Sequence, residues 1–286
     1  MSIESLLIIG AGQMGAGIAQ VAACAGLDVA LNDVAPERVD SGLQRIDAGL
    51  AKLVEKGRMD AAGRQAARAR VRAAPDLEAA AGEADLVIEA APETLEVKRA
   101  IFTRLDAAAP PHAILATNTS SLPISQIAAT TRRPGSVIGM HFFNPAPVMP
   151  LVEVVVGLAT ANETLRATQA LIERMGKRAV RIEDYPGFCG NRIMIPMINE
   201  AVFALMEGVA TAADIDAVAK LGFAHPMGPL ALADLIGLDT VLSIMEILHD
   251  RYGDSKYRPC PLLRKYVETG WLGRKSGRGF FDYATR

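Results

Sequence analysis

Three glycines near the start of the chain have the spacing of a turn that binds phosphate. Gly10, Gly12 and Gly15 form a G-x-G-x-x-G motif directly after the apolar run 6–9, which is typical of a strand covered on both faces. Gly10 allows a tight turn, Gly12 leaves the backbone open to a pyrophosphate, and Gly15 lets the next helix pack closely on the strand. The N-terminus of that helix offers N–H groups and a positive dipole end to phosphates.

One carboxylate lies where a nucleotide ribose would need it. Asp33 follows the apolar run 29–31 and lies 18 residues after Gly15. There it can accept hydrogen bonds from an adenosine ribose 2′-hydroxyl, and it repels a 2′-phosphate. A glycine motif alone is a weak signal, but the strand, the helix and the acid supply the context that it requires. The sequence predicts a dinucleotide site that favours NAD over NADP. The alternative is a glycine-rich turn in an ordinary β–α unit.

A histidine and a glutamate are placed for proton transfer. His141 ends a predicted strand over residues 136–140, and Glu153 lies on the next one. A buried carboxylate would fix the tautomer of the imidazole and stabilise the imidazolium, and imidazole suits proton transfer near neutral pH. Ser120 and Asn191 are neutral hydrogen-bonding groups that suit a carbonyl oxygen. From the spacing alone, His141 could equally be a core histidine with a satisfied ring.

Alternating strands and helices must position these groups. We predict strands over residues 6–9, 29–31, 85–90, 113–117, 136–140, 151–156 and 178–182. We predict helices over residues 16–25, 36–57, 60–72, 93–108, 122–129 and 163–175, and then over 191–207, 213–221, 229–248 and 261–267. This order predicts an α/β fold, a Rossmann-type doubly wound sheet followed by an all-α second domain. We expect domains over 1–184 and 185–286, with functional groups at the carboxyl ends of the strands.

Two helices inserted after the second strand, over about residues 36–72, form a predicted arm with basic side chains. Lys52 and Lys56 share one face, and Arg64, Arg68 and Arg72 follow at four-residue spacing. The simpler interpretation is a pair of solvated faces. The alternative is a docking surface for an anionic, phosphate-bearing group.

Composition excludes several classes of protein. The 286 residues are 50% hydrophobic, with a net charge of −2, so the balance gives no indication of nucleic-acid binding. Cys24, Cys189 and Cys260 lack the spacing of a disulfide framework or a zinc site, and the four histidines lack metal-ligand spacing. Glycines in the apolar N-terminal stretch argue against a membrane helix, and the stretch lacks the basic segment of a signal peptide. We therefore expect a cytoplasmic protein that binds no metal and no membrane.

Motifs along the whole chain resemble the short-chain L-3-hydroxyacyl-CoA dehydrogenases, in particular the bacterial 3-hydroxybutyryl-CoA dehydrogenases. They are GAGQMGAGIAQ, VIEAAPETLEVK, TNTSSLPI, GMHFFNPAPVM, LVEV, PGFCGNRI, HPMGPL, GDSKYRP and GWLGRKSGRGF. The resemblance implies NAD-dependent, reversible oxidation of an (S)-3-hydroxyacyl-CoA to the 3-oxoacyl-CoA, with 3-hydroxybutyryl-CoA as the expected substrate in fatty acid metabolism. It also implies a homodimer built through the helical domain.

The resemblance assigns roles to individual positions. His141 would be the catalytic acid and base, Glu153 its partner, and Ser120 and Asn191 would bind the 3-oxygen of the substrate. Residues implied to contact NAD are Gly10, Gly12, Gln13, Met14, Gly15, Asp33, Glu93, Lys98, Asn118, Ser120, Asn144 and Lys275. Residues implied to contact coenzyme A are Lys52, Lys56 and Ser120.

Other interpretations stay open at this point. The protein could oxidise a free hydroxy acid or sugar acid, or bind a dinucleotide without catalysis. Glu93, Lys98 and Lys275 could be ordinary surface charges. Pro150 stands where relatives often carry lysine, and Gly190 replaces part of a more usual β-branched pair. These two departures leave the fit of the acyl chain open.

Overall fold

The uninterrupted apolar runs of the sequence form a buried, mostly parallel sheet. In the computed structural model, which describes residues 2–284, the strand order is β3-β2-β1-β4-β5-β6-β7-β8. The strands are β1 (Ser5–Ile9), β2 (Asp28–Asn32), β3 (Val71–Ala73), β4 (Leu86–Glu89), β5 (Ile114–Thr117), β6 (Val137–Phe142), β7 (Leu151–Val156) and β8 (Arg178–Glu183). Strands β1 to β6 run parallel, β7 is antiparallel to β6, and β8 is parallel to β7. The order reverses beside β1, where doubly wound sheets open their ligand crevice.

Helices connect these strands. They are α1 (Gln13–Cys24), α2 (Pro36–Glu55), α3 (Ala61–Ala69), α4 (Leu77–Gly82), α5 (Leu95–Ala108), α6 (Ile124–Ala128) and α7 (Asn162–Arg174). Many apolar side chains of the sheet are fully buried, among them those of Leu7, Ile8 and Leu31. They are buried because helices cover both faces of the sheet and exclude water from it. The predicted Rossmann-type sheet is confirmed.

The predicted helix over residues 60–72 is wrong at its C-terminal end. Helix α3 stops at Ala69, and the next residues form β3 at the edge of the sheet, where Val71 pairs with Val29 of β2. Val71 is 4% exposed, so pairing buries a β-branched side chain that a further helical turn would leave exposed. Arg72 therefore lies on a strand and does not extend the helical stripe of Arg64 and Arg68.

The chain divides into two compact units, the first ending at Asp184 and the second beginning at Tyr185. The second unit contains the helices α8 (Gly190–Met206), α9 (Ala212–Gly222), α10 (Pro229–Ile236), α11 (Leu238–Tyr252) and α12 (Pro261–Glu268). The helix predicted over 229–248 is two helices, because the chain breaks at Gly237, whose φ of +102° is outside the helical region. The predicted all-helical second domain is confirmed, apart from isolated bridges between residues 273 and 282.

Buried carboxylates organise the loops of the second unit. Asp216 of α9 accepts hydrogen bonds from the N–H groups of Leu230 and Ala231, which begin α10. Asp234 of α10 accepts hydrogen bonds from the backbone of Phe280 and Phe281, both at 2.9 Å. These contacts hold the C-terminal segment against the unit's own core. Among residues 2–284, no helix is long and apolar enough to cross a membrane.

Candidate active site

The glycine motif forms the turn between β1 and α1. Gly10 has a φ of +97°, and a Cβ there would lie 2.5 Å from the carbonyl oxygen of Ala90. A Cβ on Gly15 would lie 1.7 Å from the carbonyl oxygen of Gly10, so α1 approaches the strand as closely as predicted. A Cβ on Gly12 would have no atom within 4 Å, and no side chain caps the N-terminus of α1. The turn is therefore closed towards the sheet and open where a pyrophosphate would bind.

Asp33 follows β2 and stabilises the same turn. Its Oδ2 accepts a hydrogen bond from the N–H of Ala11 at 2.7 Å, and its Oδ1 accepts one from the N–H of Val34 at 2.7 Å. A carboxylate has about four lone-pair sites, so two remain for the hydroxyls of a ribose. Arg45 of α2, which the sequence analysis did not single out, donates to the carbonyl oxygen of Ala11 at 3.3 Å. The turn and its acid fit an adenine dinucleotide.

His141 and Glu153 face each other across two strands. They are register partners in the antiparallel pair β6 and β7, and Nδ1 of His141 lies 2.7 Å from Oε2 of Glu153. The histidine is 7% exposed and the glutamate 2%. An ionised carboxylate can only accept a hydrogen bond, so the shared hydrogen is assigned to Nδ1 of His141, and Nε2 is the other ring nitrogen. His141 lies within β6, which ends at Phe142, two residues beyond the predicted range of 136–140.

The loop after β5 carries Ser120 and is organised around one carboxylate oxygen. Oε1 of Glu93 accepts hydrogen bonds from the Thr119 hydroxyl at 2.6 Å, from the Ser120 N–H at 2.8 Å and from the Ser121 N–H at 3.1 Å. The Ser120 hydroxyl lies 3.2 Å from the same oxygen. Burial raises the pKa of Glu93, but the charge of Lys98 and these hydrogen bonds outweigh burial and hold it below its usual value.

Three amide side chains connect this loop and the glycine turn with β6 and the residues that follow it. Oδ1 of Asn118 accepts a hydrogen bond from the N–H of Phe142 at 2.9 Å, next to His141. Nε2 of Gln13 donates to Oδ1 of Asn144 at 2.9 Å. These contacts place four residues that the resemblance assigned at the carboxyl edge of one sheet: Gln13, Asn118, His141 and Asn144.

An ion cluster, formed by the buried Glu89 and Lys98 and the more exposed Glu93, lies behind the Ser120 loop. Nζ of Lys98 is 2.8 Å from Oε1 of Glu89 and 3.3 Å from Oε2 of Glu93. Lys98 is 1% exposed and Glu89 is 0% exposed, so the interpretation of Lys98 as a surface charge is wrong. Glu89 was not predicted as a site residue, although a charged residue at the end of an otherwise apolar buried strand is a signal for one.

Four of the predicted side chains are carried by other elements. Asn191 is in the first turn of α8 and is 6% exposed, and Lys275 pairs with Asp239 at 2.6 Å, both within the second unit. Lys52 is exposed near the end of α2, and Lys56 is exposed just beyond it.

The arginines of the arm have structural partners. Arg68 pairs with Asp47 of α2 at 2.9 Å, and Arg72 pairs with Glu83. Among the arm's predicted docking arginines, only Arg64 has no ion pair with another described residue. The structure therefore favours the simpler interpretation for Arg68 and Arg72, which connect elements of the first unit.

The open glycine turn, the acid after β2 and the imidazole–carboxylate pair near the end of β6 define a dinucleotide-dependent oxidoreductase. The family model for the NAD binding domain of 3-hydroxyacyl-CoA dehydrogenase matches residues 5–185. The model for the C-terminal domain of 3-hydroxyacyl-CoA dehydrogenase matches residues 187–283. The chain belongs to the 3-hydroxyacyl-CoA dehydrogenase family, and its cofactor is NAD.

Similar proteins cover the chain from end to end. It is 58% identical to a probable 3-hydroxybutyryl-CoA dehydrogenase of Bacillus subtilis, over 99% of this chain and 98% of that protein. It is 53% identical to a 3-hydroxybutyryl-CoA dehydrogenase of Bradyrhizobium diazoefficiens, over 98% of this chain and 96% of that protein. The crystal structure of an (S)-3-hydroxybutyryl-CoA dehydrogenase from Ralstonia eutropha superposes with a TM-score of 0.96 at 45% identity, covering 99% of both chains. The resemblance stated from the motifs is confirmed.

Proposed function

We propose that this enzyme interconverts (S)-3-hydroxybutyryl-CoA and acetoacetyl-CoA with NAD. The observation that carries the proposal is the 2.7 Å contact between His141 and Glu153, on a sheet whose first turn is open for a dinucleotide. Relatives named for this activity at 53% and 58% identity support the choice of substrate. When bound, NAD supplies the hydride acceptor, and NADH the hydride donor, for carbon 3 of the acyl chain.

His141 is proposed to move the proton. Its Nε2 takes the proton from the 3-hydroxyl during oxidation and returns it during reduction. Glu153 holds Nδ1–H, which keeps Nε2 available as a base and then stabilises the imidazolium. The Ser120 hydroxyl is assigned to the 3-oxygen, which it can orient by a hydrogen bond. Asn191 is assigned to the same oxygen on the resemblance alone.

The arm is proposed to bind the coenzyme A portion of the substrate. Lys52 and Lys56 are both exposed and lie one helical turn apart, so they present two cations to the phosphate groups of coenzyme A. Binding energy from this distant part of the substrate can orient the reacting carbon.

Steady-state oxidation of NADH tests the function. We expect turnover with acetoacetyl-CoA and a specificity constant for free acetoacetate lower by about 100-fold or more, because the binding energy of coenzyme A is lost. Longer 3-oxoacyl-CoA thioesters define the preferred chain length. Replacing NADH by NADPH should raise KM by about 10-fold or more, because Asp33 repels the 2′-phosphate.

Each alternative predicts a different result in the same assay. Equal use of acetoacetate and acetoacetyl-CoA would establish the free hydroxy acid dehydrogenase instead. NADH that binds without turnover of any thioester would establish a dinucleotide-binding protein without catalysis.

We further propose a cytoplasmic homodimer that contacts its copy through the second unit. Val218, Leu221 and Phe223 support the dimer, since they are 57%, 87% and 67% exposed around the end of α9, and exposed apolar groups of this kind mark interfaces. Cys24 and Cys260 are free thiols, which supports a reducing compartment.

A further inference from the structure

Glu89 is a buried charge that the proposed mechanism does not use. It ends β4, where it is the register partner of Ile9 on β1 and of Thr117 on β5. Its Oε1 accepts a hydrogen bond from the N–H of Ala91 at 2.6 Å, and Nζ of Lys98 lies 2.8 and 3.0 Å from its two oxygens. Its Oε2 accepts one from the Thr117 hydroxyl at 2.7 Å. A buried carboxylate is tolerated only with such partners, and these donors come from three different segments.

The first connection from Glu89 to the Ser120 loop consists of two ion pairs that share Lys98. Lys98 lies between Glu89 and Glu93, so the attraction of two carboxylates for one ammonium fixes the position of Glu93. Oε1 of Glu93 then receives the N–H groups of Ser120 and Ser121.

The second connection is a neutral hydrogen bond. Because an ionised Glu89 can only accept, the Thr117 hydroxyl must direct its hydrogen towards Glu89. The Thr117 oxygen is then an acceptor for the N–H of Thr119, which lies 3.2 Å away. Both connections reach residues adjacent to Ser120.

We propose that Glu89 is a positioning residue: by orienting Lys98 and Thr117 together, it holds the loop that presents the Ser120 hydroxyl to the 3-oxygen of the substrate. This inference rests on the role proposed above for Ser120. Removing the charge of Glu89 would leave Glu93 as the carboxylate partner of Lys98. An amide at position 89 would also place its NH2 group against groups that themselves donate, the Lys98 ammonium and the Thr117 hydroxyl. Glu93 would move towards the ammonium, and the loop would lose its common acceptor.

The test is a double-mutant cycle with Glu89→Gln and Ser120→Ala, read out as kcat at saturating NADH and acetoacetyl-CoA. We expect Glu89→Gln alone to lower kcat by about 10-fold or more, since small displacements of orienting groups are costly. In the Ser120→Ala background the same change should lower kcat by less than about 2-fold, because residues that act as a unit are not additive. Equal effects in both backgrounds would overturn the inference.

A matched control uses the other end of the same strand. Glu83 precedes β4 and forms an exposed ion pair with Arg72. Glu83→Gln makes the same chemical change away from the loop. We expect it to alter kcat by less than about 2-fold in either background, as for most exposed ion pairs. A decrease equal to that of Glu89→Gln would mean that losing any glutamate charge near β4 suffices, and would also overturn the inference.

Amide hydrogen exchange separates this inference from the proposed function. In Glu89→Gln the amides of Ser120 and Ser121 should exchange about 10-fold faster than in the unmodified enzyme, since they lose a fixed acceptor. Unchanged exchange rates would contradict the positioning role. If Ser120→Ala leaves kcat unchanged, the proposed role of Ser120 fails, while the exchange rates still decide whether Glu89 holds the loop.

If Glu89→Gln does not fold, Thr117→Val decides. This change keeps the shape and the charge count and removes only the neutral connection. We expect kcat to fall by about 3-fold, with little further loss in the Ser120→Ala background. If Thr117→Val lowers kcat by the same factor with Ser120 present and in the Ser120→Ala background, the inference is rejected.

Discussion

At the residue scale, the proposed chemistry depends on which imidazole nitrogen carries hydrogen. Glu153 is 2% exposed and contacts Nδ1 of His141 at 2.7 Å. In the proposed mechanism this contact selects the tautomer and places a negative charge beside the imidazolium that would form during oxidation. Changing either residue is therefore expected to lower turnover for a different reason: one change removes the base, and the other alters its tautomer.

Changing His141 to Gln should remove the proton acceptor. We expect turnover to fall by about 10² to 10⁴-fold, the usual contribution of a general acid or base. His112→Gln is the control, because His112 is exposed and pairs with Asp85. Steady-state rates with acetoacetyl-CoA and NADH measure both variants. Unchanged turnover in His141→Gln would remove His141 from the mechanism.

Changing Glu153 to Gln should preserve shape and lose tautomer control. A glutamine amide can donate to Nδ1, which stabilises the imidazole with hydrogen on Nε2, the wrong form for a base. We expect kcat to fall by about 10² to 10⁴-fold, as when a triad carboxylate becomes an amide. The affinity for NADH, measured by fluorescence titration, should change little. A large loss of NADH affinity with normal kcat would contradict this role.

The sequence was informative for chemistry carried by single residues and for local spacing. Asp33 and the glycine motif are recognisable because one turn needs them in a fixed order. Glu89 was missed because its partners Lys98 and Thr117 are 9 and 28 residues away. Only the register of β4 with β5 and the packing of α5 bring them together.

At the element scale, one buried carboxylate connects α5 to the segment before β6. Asp106 accepts hydrogen bonds from the side chains of Arg132 and Arg133, both at 3.0 Å, and from the N–H of Arg132. Burial raises the pKa of Asp106, but these donors outweigh burial and hold it below the usual 3.8. The ionised form of Asp106 is therefore more stable, relative to the protonated form, in the folded protein than in the unfolded chain.

Changing Asp106 to Asn should lower the free energy of unfolding by about 2 kcal/mol at pH 7, the cost of unpairing buried donors. Because the folded pKa is lowered, the stabilisation is present above 3.8 and is lost as pH falls through the folded value. The difference in free energy of unfolding between the unmodified protein and Asp106→Asn should thus be smaller at pH 3 than at pH 7. Urea unfolding at both pH values measures this difference.

The control for this prediction lies nearby. Glu78 of α4 forms an exposed ion pair with Arg104 of α5, the helix that carries Asp106. Glu78→Gln should therefore leave the urea midpoint nearly unchanged. A stability difference for Asp106→Asn that is independent of pH would contradict the assignment of the effect to ionisation.

Elements were predicted well where burial is continuous. Strand β7 has its predicted bounds, and β1 differs from its prediction by one residue, because both are buried runs in which nearly every residue is apolar. Strand β3 gave no such signal, since only one of its three residues is buried. The break at Gly237 was missed because glycine inside an apolar helical pattern is ambiguous until its backbone conformation is known.

At the scale of the whole molecule, charge on the arm should govern substrate binding. Lys52→Ala with Lys56→Ala should raise KM for acetoacetyl-CoA by about 5-fold or more with little change in kcat, since exposed charges contribute to encounter and docking. The difference should diminish at high salt. Arg64→Ala is the comparison on α3. An equal rise in KM for Arg64→Ala would restore the arginine docking surface.

Association of two copies should depend on the apolar surface of α9. Leu221→Lys with Phe223→Lys should shift sedimentation equilibrium from dimer to monomer, because charge in a desolvated interface is unfavourable. Leu158→Lys is the control, since Leu158 is 97% exposed in the first unit. A dimer that survives the double change would exclude this surface as the contact.

The ladder between β6 and β7 has a consequence for how such an enzyme can diversify. His141 and Glu153 are opposite each other in that ladder, so main-chain hydrogen bonds on both sides set their separation. If the arm binds the thioester as proposed, mutations in the arm or in loops would alter which thioester is preferred without disturbing this spacing. New substrate ranges would then arise while the proposed proton-transfer pair keeps its geometry.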